Sequence, residues 1–254
     1  MKNTMLFLLL VAFSLTQAAC ANDADFQSHV YADKDGNNLP YRLLVPAGYD
    51  KAKGPSPLLI FLHGAGERGA DNRAQLIHGK SFMRRAAAEY GCIVLVPQCP
   101  RNMTWASRHW TETDHGLVKE PSQPMRLLLA LIEKVQKQYR IDPDRIYVTG
   151  LSMGGYGTWE MIQREPKRFA AAVPICGGGD EARAERIKAV PIWAFHGDKD
   201  GAVPVARTRD MIAAIKKAGG KPKYTEYPGV RHMSWVPAFK DPDLLKWICS
   251  QKRK

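Results

Sequence analysis

The sequence predicts an α/β protein with a mostly parallel central sheet, an N-terminal antiparallel hairpin and helices on both faces of the sheet. Three observations predict it. Short, continuously apolar runs alternate with helix-length segments, two strand-like runs flank Asp35-Gly36 near the start, and 254 residues that are 45% hydrophobic and 24% charged suit a full-sized core. That composition excludes a disordered or fibrous chain.

The chain opens on Lys2, an apolar run over residues 5–15 and the small residues Ala18-Ala19-Cys20-Ala21. This is the three-part pattern of a secretory signal peptide and is too short to span a membrane. Cleavage after Ala21 puts Ala19 and Ala21 at the two recognition positions. A lipoprotein cut before Cys20 is the alternative; Ala19 suits it, but Gln17 stands where such sites usually carry an aliphatic residue. The expected organisation is a signal peptide over 1–21 and one domain over 22–254, exported to the periplasm or the medium, with no transmembrane segment.

Residues 26–31 and 39–45 read as strands joined by the Asp35-Gly36 turn, a hairpin. Apolar runs follow at 58–62, 93–96, 146–149, 170–175, 192–195 and 224–227; hydrophobicity without alternation marks strands buried on both faces. Helical segments are expected at 72–90, 125–139, 154–164, 204–218 and 241–249. In the second, Leu128, Leu131, Ile132, Val135 and Tyr139 recur at helical spacing as a core-facing stripe. Residues 100–124 have no period, and loops of that length are commonly functional or disordered.

Lysine and arginine (37) outnumber aspartate and glutamate (25), for a net charge of +12. The balance favours anionic partners, an acidic polymer among them. The basic residues are scattered and accompany no nucleic-acid motif, so nucleic acid is not an expected partner. Beyond Cys20, Cys92, Cys99, Cys176 and Cys249 are too few for a disulfide scaffold. Cys92 and Cys99 share one strand-like run, about 23 Å apart when extended and out of bonding reach. Other pairings stay open.

The most informative segment is Arg145-Ile146-Tyr147-Val148-Thr149-Gly150-Leu151-Ser152-Met153-Gly154-Gly155. A buried strand runs into Gly-x-Ser-x-Gly and then a helix, the context of a nucleophile elbow. The tight turn needs residues without side-chain bulk around Ser152, and the helix N-terminus favours developing negative charge there. A serine hydroxyl needs a base oriented by an acid. The chain supplies an acidic loop, His196-Gly197-Asp198-Lys199-Asp200, after one strand and His232 after a later one; spacing leaves Asp198 and Asp200 nearly even as the acid. His63 and His196 sit in His-Gly turns and read as structural hydrogen-bonders. Oxyanion donors are expected from the N–H of Met153 and, in the turn after residues 58–62, of Ala65. His29, His78, His109 and His115 show no tight ligand spacing, so neither a metal nor a cofactor is expected.

With these motifs placed, the sequence resembles the α/β-hydrolases. Within them it is similar to the secreted bacterial carboxylesterases and predicted peptidases related to phospholipase/carboxylesterases and to the prolyl oligopeptidase catalytic domain. The resemblance rests on Leu62-His63-Gly64-Ala65-Gly66-Glu67-Arg68-Gly69, on Gly150-Leu151-Ser152-Met153-Gly154-Gly155-Tyr156-Gly157, on His196-Gly197-Asp198-Lys199-Asp200 with Val203-Pro204, and on Tyr227-Pro228-Gly229 to His232. It implies Ser152 as nucleophile, His232 as base, Asp200 rather than Asp198 as its partner, and Ala65 and Met153 as oxyanion donors. Arg231 departs from the pattern, since many relatives carry glycine there. The activity implied is cleavage of small-molecule or polysaccharide-linked carboxylic esters through an acyl-enzyme. A serine peptidase is the alternative, and a non-catalytic protein that binds an anionic polymer the more distant one. Trp105, in the long loop, and Glu67 and Arg68, after the oxyanion turn, are the expected substrate contacts.

Overall fold

The computed structural model describes residues 25–253, so the leader pattern, its cleavage site and Cys20 lie outside the described residues. Eight strands, β1 (Phe26–Ala32), β2 (Asn38–Leu44), β3 (Ser56–Leu62), β4 (Ile93–Pro97), β5 (Ile141–Leu151), β6 (Ala171–Ile175), β7 (Trp193–Gly197) and β8 (Lys223–Tyr227), form one sheet in the order β1-β2-β4-β3-β5-β6-β7-β8. The first two form the expected hairpin around Gly36 (φ 80°), and β2 joins β4 antiparallel. All later neighbours pair parallel.

The uniformly apolar strands are sorted by their own two-residue period. Leu58, Ile60 and Leu62 enter one core layer while Leu59 and Phe61 enter the other. The first layer is completed by α2 (Gln123–Gln138), α3 (Met153–Arg164) and α5 (Ala206–Lys217), with the short α4 (Ala184–Ile187) at its edge. The second is completed by α1 (Lys80–Tyr90), α6 (Trp235–Lys240) and α7 (Leu244–Ser250). The stripe Leu128, Leu131, Ile132 and Val135 is buried as expected, and Ser122 caps α2 by accepting the Met125 N–H at 3.2 Å. No helix among the described residues is long and apolar enough to cross a membrane.

Two helical expectations are corrected. The segment 72–90 is not one helix: a short turn at Ala74–Leu76 is followed by Gly79 at φ 75°, and only then by α1. A side chain at Gly79 would run into the Phe61 ring of β3, so glycine at φ 75° stands where the chain turns into α1. The sequence before α7 also forms α6, whose six residues are too few for a readable period.

The four described cysteines are thiols, and the fold brings Cys92 Sγ to 3.9 Å from Cys249 Sγ. The carboxyl ends of β3, β5, β7 and β8 lie along one edge of the sheet, where ligand sites collect in parallel α/β folds.

Candidate active site

Ser152 lies where β5 turns into α3, with φ 54° and ψ −118°. Such a conformation costs a non-glycine residue about 1–3 kcal/mol, and the surroundings impose it. A Cβ on Gly150 would strike the Gly154 carbonyl, one on Gly154 the Leu62 carbonyl, and one on Gly155 the Ile175 carbonyl. The Ser152 N–H donates to Ile175 O at 2.9 Å, fastening the elbow to β6.

His232, in the loop after β8, places Nε2 2.9 Å from Ser152 Oγ and Nδ1 2.7 Å from Asp200 Oδ2. The Asp200 side chain is fully buried in the loop after β7. Its Oδ1 accepts the N–H groups of Ala202 and Val203 at 2.8 and 2.9 Å. Burial alone would raise the carboxyl, but hydrogen bonds from His196, His232 and these two amides outweigh it and hold Asp200 below the usual carboxylate range. Asp198 instead accepts the Gly229 N–H at 2.7 Å and braces the turn that carries His232. Geometry thus separates the two acids that spacing leaves even.

The Ala65 turn packs on the elbow: a Cβ on Gly64 would lie 3.7 Å from Ser152 Cβ. Ala65 and Met153 each begin a helical turn, so neither N–H has an acceptor within its own helix. Two backbone N–H groups without a helical acceptor thus belong to the elbow and to the turn packed on it. His63 ties this turn to the neighbouring strand: its Nδ1 faces Gly64 O at 2.6 Å and its Nε2 accepts the Cys99 N–H at 2.9 Å.

The three expected substrate contacts part company. Glu67 is buried, with Oε1 3.6 Å from His78 Nε2 and Oε2 facing Gly64 without a hydrogen-bond partner among the described residues. Arg68 is committed to the loops, donating to Ala65 O at 2.8 Å and Met103 O at 3.2 Å and lying over the Trp110 ring at 5.4 Å. Trp105 does not wall a cleft. It is fully buried, its indole N–H donates to His63 O at 3.1 Å, and its Cβ lies where a side chain on Gly157 would have to go.

Trp105 pins the 98–122 loop, and Trp110, which reading from the residues passed over, is the half-exposed aromatic beside Ala106, Tyr156 and Val203. Trp105→Ala is accordingly expected to destabilise the fold by about 3–5 kcal/mol while leaving the ratios of kcat/KM among esters unchanged. Thermal unfolding alongside an ester series measures both.

Trp235, packed edge-on to His232 at 5.3 Å, and His196, against Asp200, also went unassigned to the site. Among the described residues the group that could hold a metal is Cys176, Asp200 and His232, with ligand atoms within 4.8 Å of one another. Asp200 and His232 are hydrogen-bonded to each other, and burial pushes the Cys176 thiol up to about 12, so these donors suit a hydrogen-bonded assembly better than a metal ion.

The sequence pattern of the dienelactone hydrolase family matches residues 77–240, a stretch that contains Ser152, Asp200 and His232 but not the Ala65 turn. A crystal structure described as a thermostable esterase superposes with a TM-score of 0.82 at 39% identity, over 90% of this chain and 64% of that one. The chain is 25% identical over 195 residues to a bifunctional acetylxylan esterase/xylanase of Neocallimastix patriciarum, covering 73% of this chain and 26% of that protein. It is 28% identical over 146 residues to dipeptidyl-peptidase 5 of Porphyromonas gingivalis, covering 56% of this chain and 20% of that protein. The chain thus spans about a quarter or less of the length of these two curated relatives.

Proposed function

The chain belongs to the dienelactone hydrolase family, and on that premise we propose that it is a serine hydrolase cleaving carboxylic esters, with Ser152 as nucleophile, His232 as base and Asp200 as its orienting acid. The observation that carries this reading is the unbroken hydrogen-bonded chain from Ser152 Oγ through His232 to Asp200, 2.9 and 2.7 Å, at a strained strand-to-helix turn.

His232 Nε2 takes the Ser152 proton as Oγ attacks the ester carbonyl. The negative charge on the former carbonyl oxygen accepts the N–H groups of Ala65 and Met153; losing one such donor typically costs about 3–4 kcal/mol of transition-state stabilisation. The intermediate collapses, His232 returns the proton to the departing alkoxide, and water repeats the sequence on the acyl-enzyme. Arg68 holds the Ala65 carbonyl, which anchors the peptide that follows the Ala65 N–H. The half-exposed Trp110 offers an aromatic face that suits an aryl or sugar-like part of the substrate.

The acetylxylan esterase relative supports a polysaccharide-linked ester, and the esterase structure at 39% identity supports ester over amide. The dipeptidyl-peptidase relative favours a peptidase as the second reading. A fluorophosphonate label should attach to Ser152 and vanish in the Ser152→Ala variant. An ester panel run beside aminoacyl amides then decides between the readings, with faster turnover of esters expected and a preference for amides overturning the proposal. Export through the leader belongs to the same proposal, and N-terminal sequencing of the mature protein from expressing cells tests it.

A further inference from the structure

His196 is the penultimate residue of β7, with its side chain fully buried. Its Nε2 lies 3.1 Å from Asp200 Oδ2 and 3.1 Å from Val203 O, and its Nδ1 lies 2.8 Å from Thr208 Oγ1. Both neighbours of Nε2 are acceptors, so Nε2 carries a proton. Thr208 Oγ1 stands 2.7 Å from Gly177 O, a contact only a hydroxyl proton makes favourable, so that proton is spent on Gly177. Thr208 can then only accept from Nδ1, which must carry a proton as well. The inventory closes with both ring nitrogens protonated.

His63 provides the contrast within the same sheet edge. It faces one acceptor, Gly64 O, and one donor, the Cys99 N–H, and its inventory closes on a neutral ring. A buried cation persists only when paired, and Asp200 is the pair.

We propose that His196 is a positioning residue held as an imidazolium, donating from Nε2 to Asp200 and from Nδ1 to Thr208, so that it fixes the carboxylate and weakens its pull on the His232 proton. This rests on the reading of Ser152, His232 and Asp200 as a catalytic triad. The remaining charged and titratable groups that face His196 are accounted for. From β8, Glu226 is its partner in register, and that carboxylate is bonded to Arg209 of α5 at 2.9 Å and to the Tyr224 hydroxyl at 2.6 Å. Cys176, beyond β6, is an un-ionised thiol. Asp200 is thus the buried anion whose charge His196 offsets.

An imidazolium beside Asp200 makes His232 a weaker base, and its removal makes His232 hold its proton to higher pH. In His196→Gln the amide nitrogen still donates to Asp200 but the charge is gone. The acid limb of kcat/KM should move up by about one pH unit, with the plateau kept within a few-fold. His196→Ala, lacking the donor, should show the same move and also a plateau lowered by about tenfold or more. A merely structural histidine would lower the melting temperature and the fraction labelled by fluorophosphonate without moving the limb, and that result overturns the proposal.

Should the variants fail to fold, nitrogen-15 NMR of histidine-labelled wild-type protein reads the ring directly. A doubly protonated His196 that persists at neutral pH is expected, and a neutral ring refutes it. Loss of the triad reading itself would show differently, as full activity in Ser152→Ala whatever His196 does.

Discussion

Ser152→Ala is expected to lower kcat for ester hydrolysis by about 10⁵-fold or more and to leave the protein folded. Oγ is the only atom removed, and no described hydrogen bond other than that to His232 depends on it. The elbow is held by backbone contacts, through the Ser152 N–H on Ile175 O and the close approach of Gly154 to Leu62, and alanine keeps all of these. His232→Ala should fall to a similar floor, because nucleophile and base act as a unit. The double variant should lose little more than either single one. Steady-state rates on one activated ester, with circular dichroism and a melting curve for each variant, test this. Near-normal turnover in a folded Ser152→Ala would place the nucleophile elsewhere.

Asp200→Asn should cost about 10⁴-fold in kcat, and Asp198→Asn less than about threefold. Asp200 is the carboxylate on His232 Nδ1, and an amide there offers an N–H where the ring presents its own, so the imidazole settles in the wrong tautomer. Asp198 only accepts the Gly229 N–H, which the amide oxygen of asparagine still does. The reverse ranking would move the orienting role to Asp198. The two also differ in acid. Because Asp200 is held below the usual carboxylate range, its stabilising contribution is complete above that range and is lost as pH falls through it toward the folded value.

Much of this architecture is legible in the sequence because its signals are local. Continuous apolar runs mark buried strands, and Gly150-Leu151-Ser152-Met153-Gly154 carries its own steric argument, since each glycine answers a backbone contact that the turn itself creates. What sequence cannot supply is contact between distant segments. Asp198 and Asp200 differ only through where β8 brings Gly229 and His232. Nearness to the strand end favours Trp105 over Trp110 until one is seen beneath Gly157 and the other against Arg68. The break at Gly79 belongs to the same class, for its cause is a ring on β3, far away in the chain. The likeness to esterases named the roles; the partners of His196 come from the packing of α5 and the β6 edge.

His63 joins the oxyanion turn to the end of β4 as a buried neutral ring, and burial pushes it down to about 4 from 6.5. In the unfolded chain it binds a proton as soon as the pH passes below 6.5, whereas the native protein refuses one until about 4. Stability is therefore full above the first value and drains across that interval by about 3 kcal/mol. For a fold of ordinary stability, about 5–15 kcal/mol, that is a substantial share. The loss at His63 acts through unfolding, so it becomes permanent if the opened chain aggregates. An imidazole outside the triad thus contributes to how the fold withstands acid.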